Sequence, residues 1–254
     1  MHIEVLGPIE VTEPGRVIRL AGQRQRALLA ALVLDQGRVV SVTRLVDVLW
    51  GFDPPATARA KVQAHVSTLR QALGAAGVIE TRPPGYLLCG RRSRVDLTEF
   101  QALRTLAAAA YDAGEWVLAS QRYAAALALW RGPACADVTS PAIRAAAAAL
   151  EERRLFAVEA KAEADLALGR CESVAAELAV PLAQHPLRER LRALAMQALY
   201  RLGCRADALS LYREGRRVMI AELGLEPGPH LRRLHQGILS DDPALLAPAR
   251  DLPG

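Results

Sequence analysis

Aromatic residues make up only 4% of this 254-residue chain, and lysine occurs just twice, as Lys61 and Lys161. With 52% of the residues apolar, any core must therefore be built from Leu, Ala and Val. The four cysteines, Cys89, Cys135, Cys171 and Cys204, form no C-x-x-C pair, so they signal neither a zinc site nor a disulfide framework and read as reduced, buried thiols. No charge-free apolar run is long enough to span a membrane, since the Ala-rich runs near 107 and 145 are each bounded by charges. Met1-His2-Ile3-Glu4-Val5-Leu6 has neither the basic start nor the long apolar run of a signal peptide. A cytoplasmic protein without a membrane partner is expected. The absence that points furthest is of acid: no Asp or Glu lies between Asp53 and Glu80.

The net charge of +5 is unevenly placed: residues 1–95 hold 13 Arg/Lys against 7 Asp/Glu, and residues 96–254 hold 19 against 20. All the positive excess therefore lies in the N-terminal part, as expected when one module binds a polyanion and the other binds something else. Inside the acid-free stretch, Val62, Val66, Leu69 and Leu73 recur at i, i+4, i+7 and i+11, one stripe of a helix that must face a core. The opposite face carries Ala60, Lys61, Ala64, Ser67, Thr68 and Gln71. These side chains are small or polar, so the helix fits deep in a DNA major groove, with Arg59, His65 and Arg70 at its flanks reaching phosphates.

The first forty residues alternate β-rich runs, Ile3 to Leu6, Ile9 to Thr12 and Val17 to Leu20, with turn residues, and read as a small antiparallel sheet. A helix from Gly22 to Leu34 follows. Val39-Val40 reads as a short strand, and Ser41 caps a second helix whose Val42, Leu45 and Leu49 share a face. Asp53-Pro54-Pro55 breaks it, and a third helix runs from about Thr57 to Leu73, ending at Gly74 or Gly77. A hairpin over Val78 to Leu88 completes a winged helix-turn-helix. Arg91-Arg92-Ser93-Arg94 reads as a basic link to a second module.

Asp96-Leu97-Thr98-Glu99 has the form of a capping box, and helices are predicted near 97–112, 115–130, 141–168, 171–183, 188–202, 205–222 and 227–239. The spacing G-x4-A-x3-Y at Gly114, Ala119 and Tyr123 recurs at Gly203, Ala208 and Tyr212, with Gly169, Val174 and Leu178 at the same offsets between them. The last two glycines are 34 residues apart, the period of tetratricopeptide helical hairpins. The longer gap between the first two units implies a longer helix or an extra turn. The expected fold is thus mainly α: a winged helix over 1–95, an all-α tetratricopeptide-like repeat over 96–240, and a flexible tail over 241–254.

Val5-Leu6-Gly7-Pro8, Gln25-Arg26-Ala27-Leu28-Leu29-Ala30, Leu45-Val46-Asp47-Val48-Leu49-Trp50-Gly51, His65-Val66-Ser67-Thr68-Leu69-Arg70 and Pro84-Gly85-Tyr86 together resemble the Streptomyces antibiotic regulatory protein family. Leu127-Ala128-Leu129-Trp130-Arg131-Gly132 and Glu222-Leu223-Gly224-Leu225-Glu226-Pro227-Gly228-Pro229 resemble that family's bacterial transcriptional activator domain. The resemblance covers nearly the whole chain. It implies an OmpR-like winged helix followed by a tetratricopeptide-like domain, binding to direct repeats in double-stranded DNA, self-association there, recruitment of RNA polymerase and control of an actinobacterial antibiotic gene cluster.

By the same resemblance, Trp50 matches a position whose indole N–H contacts phosphate, although a Trp at a helix end is also a common core plug. Arg82 matches the wing arginine that enters the minor groove, or is an idle hairpin arginine. His65 and Arg70 match phosphate-contacting positions, and no second ligand at i±3 or i±4 supports a metal role for His65. Thr68 departs from the many relatives that carry Arg there to read guanine; a threonine offers a methyl to thymine or one hydrogen bond. Ala64 offers a methyl contact or simply room.

A repressor of the same architecture fits these residues as well as an activator does. A helical-repeat scaffold whose basic head binds protein would want acidic or aromatic residues on the outer face of the third helix, and these are missing. No nucleophile, base and orienter group recurs near a Gly-rich turn, so neither an enzyme nor a cofactor is expected. The winged helix starts with the first residue and no G-x4-G-K-[ST] loop occurs, so neither a receiver domain ahead of it nor ATP control is expected.

Overall fold

The structure, a computed structural model, describes residues 1–74, 78–89 and 93–246. Its chain forms two compact units, Met1–Leu103 with Ala125–Arg154, and Arg104–Ala124 with Leu155–Gly254.

In the first unit, β1 (His2–Glu4), β2 (Glu10–Glu13) and β3 (Arg16–Ile18) form the expected antiparallel meander, with Ile3 opposite Val11 and Val11 opposite Ile18. A segment read from sequence as part of a basic link supplies a fourth strand. Arg94–Val95, labelled β7, pairs parallel to β1 and gives the order β3-β2-β1-β7, while Arg91 and Arg92 lie outside the described residues. Helix α1 (Gly22–Leu34) buries Gln25 and every residue from Ala27 to Val33, because packing surrounds it on nearly all sides.

Strand β4 (Val40–Ser41) leads into α2 (Val42–Trp50), whose first turn is capped as expected: the Arg44 N–H donates to Ser41 Oγ at 3.1 Å, an interaction worth about 1 kcal/mol. The buried stripe of α2 is Leu45 and Val48 rather than Val42, Leu45 and Leu49. Leu49 instead lines an open cleft of about 320 Å³ with Gln23, Arg24 and Pro141. Helix α3 (Ala58–Leu73) stops at Gly74, whose φ of 62° closes the helix in the left-handed region; Gly77 lies outside the described residues.

The wing is β5 (Ile79–Arg82) and β6 (Gly85–Leu88), and with β4 it makes a second sheet in the order β4-β6-β5. Gly85 is required there by space. A Cβ at this position would lie 1.8 Å from the carbonyl oxygen of Val40, so only glycine lets β6 close on β4.

Asp96 does not cap its own helix in the expected box. Its buried carboxylate accepts from the N–H of Val5 (2.8 Å), Leu6 (2.8 Å) and Leu97 (2.7 Å), tying the exit of β1 to the start of α4 (Asp96–Asp112). Glu99, the expected reciprocal partner, pairs with Arg94 instead. Burial pushes the Asp96 carboxyl above the ordinary range, partly offset by those N–H donors and by Arg131. Residues 131–140 then run beside the same stretch: Arg131 N–H donates to Leu6 O, Cys135 N–H to Val5 O, and Ser140 Oγ to Val48 O at 2.6 Å.

From Asp96 onward the described elements are helical. Helix α5 (Trp116–Leu127) ends three residues short of expectation, and of the two ways to fill the wider repeat gap the chain uses a longer helix, α6 (Pro141–Ala167). After it come α7 (Cys171–Gln184), α8 (Glu189–Arg201), α9 (Arg205–Leu223) and α10 (Pro229–Leu239). Gly114, Gly169 and Gly203 all take positive φ between 72° and 80°, and the residue after each donates its N–H five residues back: Glu115 to Ala110, Arg170 to Asp165, Cys204 to Leu199. The same turn is built three times. Ala119, Val174 and Ala208 are buried at the second repeat position, and Tyr123, Leu178 and Tyr212 at the third. The expected tail begins at Asp241; Pro243–Leu245 form one 3-10 turn, and residues from 247 onward lie outside those described.

Candidate nucleic-acid interface

The stripe expected on α3 is buried: Val62, Leu69 and Leu73 are fully inside and Val66 is 1% exposed. Arg59, Ala60, Lys61, Ala64, Ser67, Thr68 and Gln71 are all exposed. Neither Arg59 nor Lys61 has an ion-pair partner among the described residues, so both cations are available to an external anion. Thr68 is less free than it looks. Its hydroxyl donates back to the Ala64 carbonyl at 3.0 Å, which commits the hydrogen and leaves the methyl and a lone pair facing out.

Arg70, expected at a phosphate, turns toward the wing. Its Nε donates to Ile79 O at 2.9 Å, its Nη2 donates to Thr81 Oγ1 at 2.9 Å, and its guanidinium lies 5.7 Å from the Tyr86 ring centroid. A planar fork of donors suits this bridging, and the result fixes the hairpin relative to α3. Arg82, on the outer strand of the wing, is 61% exposed at its side chain but pairs with Glu80 at 2.9 Å.

Trp50 and His65 meet at the other flank, ring centroids 6.2 Å apart and tilted 41°, with the Arg24 guanidinium 5.7 Å from the Trp50 ring. Trp50 is half-buried, and its indole N–H makes no hydrogen bond within the described residues. Burial, with Arg24 and Lys61 close by, holds the His65 pKa below its ordinary 6.5. The ring is neutral near pH 7. Arg24 escaped the sequence reading because it sits on α1, far from α3 in the chain; the only signal was a basic residue at the start of a helix next to the helix-turn-helix.

Among the described residues, no three His, Cys, Asp or Glu side chains gather to hold a metal ion, and no helix is long and apolar enough to cross a membrane.

Two domain families match the chain: "Transcriptional regulatory protein, C terminal" over residues 15–88 and "Bacterial transcriptional activator domain" over residues 95–239. The regulatory protein DnrI of Streptomyces peucetius is 37% identical over 256 residues, covering 96% of this chain and 94% of DnrI. The chain belongs to the Streptomyces antibiotic regulatory protein family. The regulatory protein AfsR of Streptomyces coelicolor is 40% identical over 96% of this chain, which spans only 25% of AfsR. A solved structure of Mycobacterium tuberculosis EmbR in complex with a low-affinity phosphopeptide superposes with a TM-score of 0.89 at 38% identity, covering 95% of this chain and 65% of EmbR. A winged helix followed by a helical domain is thus the shared architecture, and both matching domain families are named for transcriptional regulation.

Proposed function

We propose that this regulator is a sequence-specific activator that binds direct repeats in promoter DNA, recruits RNA polymerase and switches on an antibiotic biosynthetic cluster in the cytoplasm. The observation that carries the reading is the acid-free outer face of α3, with Arg59 and Lys61 unpaired at its first turns and the wing braced beside it by Arg70. Arg59, Lys61, His65 and the Trp50 indole hold phosphates; Ala64, Ser67 and Thr68 face base edges; Arg82 reaches the minor groove.

One winged helix buries roughly 600–1,000 Å² of surface on DNA, so specific binding calls for two copies. Direct repeats ask for a head-to-tail pair about one helical turn apart rather than a two-fold dimer. In this reading residues 1–95 carry the DNA contacts, and the repeat that follows supplies the broad faces for protomer and polymerase contacts.

Footprinting and run-off transcription with the full chain test this reading. Protection of two directly repeated half-sites and promoter-dependent stimulation are expected, and both should vanish in the Arg59→Ala, Lys61→Ala double variant. A chain that retains no DNA from a fragmented genome would return the scaffold reading, and protection with lowered transcription would make it a repressor.

A further inference from the structure

The chemistry of α3 also limits which bases it can read. Reading guanine well takes two donors aimed at N7 and O6, supplied in practice by Arg or Lys, whereas adenine asks for one donor and one acceptor, and thymine presents a methyl group. Between Val62 and Gly74 the only cation is Arg70, and its Nε and Nη2 are spent on Ile79 and Thr81. Arg59 and Lys61 both precede this stretch, in the first turns of the helix. What remains exposed between Val62 and Gly74 is Gln63, Ala64, Ser67, Thr68 and Gln71, of which the last four share the face opposite the buried stripe.

Thr68 spends its hydroxyl hydrogen on Ala64 O, so it meets a base with a methyl and an acceptor lone pair. An acceptor is repelled by guanine N7 and O6. The Ala64 methyl is its neighbour one turn earlier, and Gln71 carries a carboxamide that offers both a donor and an acceptor, the pattern adenine presents in reverse.

We propose that the base pairs met by Ala64, Thr68 and Gln71 are A·T pairs, read by methyl-to-methyl contact with thymine and by the Gln71 carboxamide on adenine. This rests on the DNA-binding reading of α3. It identifies the operator as carrying an A·T block under the middle of α3.

The full chain is first used to select its site from random duplexes, and each thymine of the consensus is then replaced by deoxyuridine, which removes only the C5 methyl. At the thymines under α3, affinity should fall about four-fold, the worth of one buried methyl. Thr68→Ser keeps the hydroxyl and lacks the methyl, so it should show the same loss on the natural site and no further loss at the thymine it faces. Thr68→Val should retain the sensitivity to deoxyuridine. A selected consensus with G·C pairs at the centre of each half-site, or deoxyuridine substitutions without effect on the wild type, would overturn the A·T assignment while leaving DNA binding intact. Failure to enrich any sequence would instead remove the DNA-binding reading itself, and the assignment with it.

Discussion

The start of α3 and the helical repeat use cations in opposite ways. In the helical repeat a set of cations is consumed internally: Arg188 pairs with Glu159 at 2.6 Å, Arg190 with Glu163 at 2.8 Å, Lys161 with Asp165 at 2.8 Å and Arg216 with Glu226. On α3, Arg59 and Lys61 are exposed with no acid on the helix to meet them. A cation paired at short range contributes almost nothing to the field felt by a distant polyanion, whereas unpaired cations on one face sum. What separates Arg59 and Lys61 from these repeat cations is whether the positive charge already has a partner.

The sharpest way to break that comparison is to remove one arginine from each side. Arg188→Ala would leave the carboxylate of Glu159, 1% exposed, with the more distant Arg190 at 3.9 Å, and should destabilise the protein by about 3–5 kcal/mol. Thermal or denaturant unfolding measures it. The slope of DNA affinity against salt should not move, provided binding is measured where the variant is folded. A changed slope would mean that the repeat touches phosphate after all.

Next in size is the effect of truncation on α3. Arg59→Ala and Lys61→Ala touch no partner, so stability should stay within about 0.5 kcal/mol. The plot of log affinity against log salt should flatten by about one unit for each phosphate that is no longer neutralised, on specific and random DNA alike. An unchanged slope in both variants would put the DNA on another face.

Most of the architecture was legible in the sequence because it rests on local patterns. The period of Val62, Val66, Leu69 and Leu73 was enough to orient α3, and the recurring glycines marked turns that only a residue at ease with positive φ can make. What could not be read depends on partners far apart in the chain. Asp96 looked like a helix cap because a carboxylate before an apolar run usually is one; its acceptors in fact serve Val5 and Leu6, some ninety residues away. Residues 131–140 carry no strand pattern, yet they donate to the carbonyls of Val5 and Leu6. The site divides in the same manner. Outward exposure followed from helical period, but the inward turn of Arg70, the Glu80 partner of Arg82 and the spent hydroxyl of Thr68 are side-chain choices that spacing does not encode.

A smaller effect is expected from pH. Burial, Arg24 and Lys61 hold His65 below its ordinary 6.5 in the free protein, and a phosphate beside it would favour the charged ring. Binding would then take up a proton, so affinity should rise as pH falls from about 7 to about 5.5, and His65→Gln should abolish that rise. The fold responds with the opposite sign. A histidine whose folded pKa lies below the unfolded value contributes stability that is present above 6.5 and is lost as pH falls below it, and the lowered pKa of His235 acts in the same direction. Affinity and unfolding must therefore be measured separately at each pH. Affinity that is flat with pH, or rises equally in His65→Gln, would remove His65 from the phosphate-binding set.

The smallest effect tests Arg82, a paired cation on the proposed DNA-facing side. Arg82 sits opposite Glu80 at 2.9 Å, and both side chains are substantially exposed, so the pair itself is worth at most about 1 kcal/mol. If Arg82 enters the minor groove, it must leave or share that partner, and the carboxylate must come closer to the DNA. Glu80→Gln should then tighten binding by roughly two- to five-fold at low salt, an advantage that fades as salt screens it. Part of any gain would come simply from removing a negative charge near phosphate, whatever Arg82 does. Repeating the substitution in an Arg82→Ala background isolates the remainder: a smaller gain there assigns the difference to the release of Arg82. Equal gains in the two backgrounds would leave Arg82 with its hairpin and out of the groove.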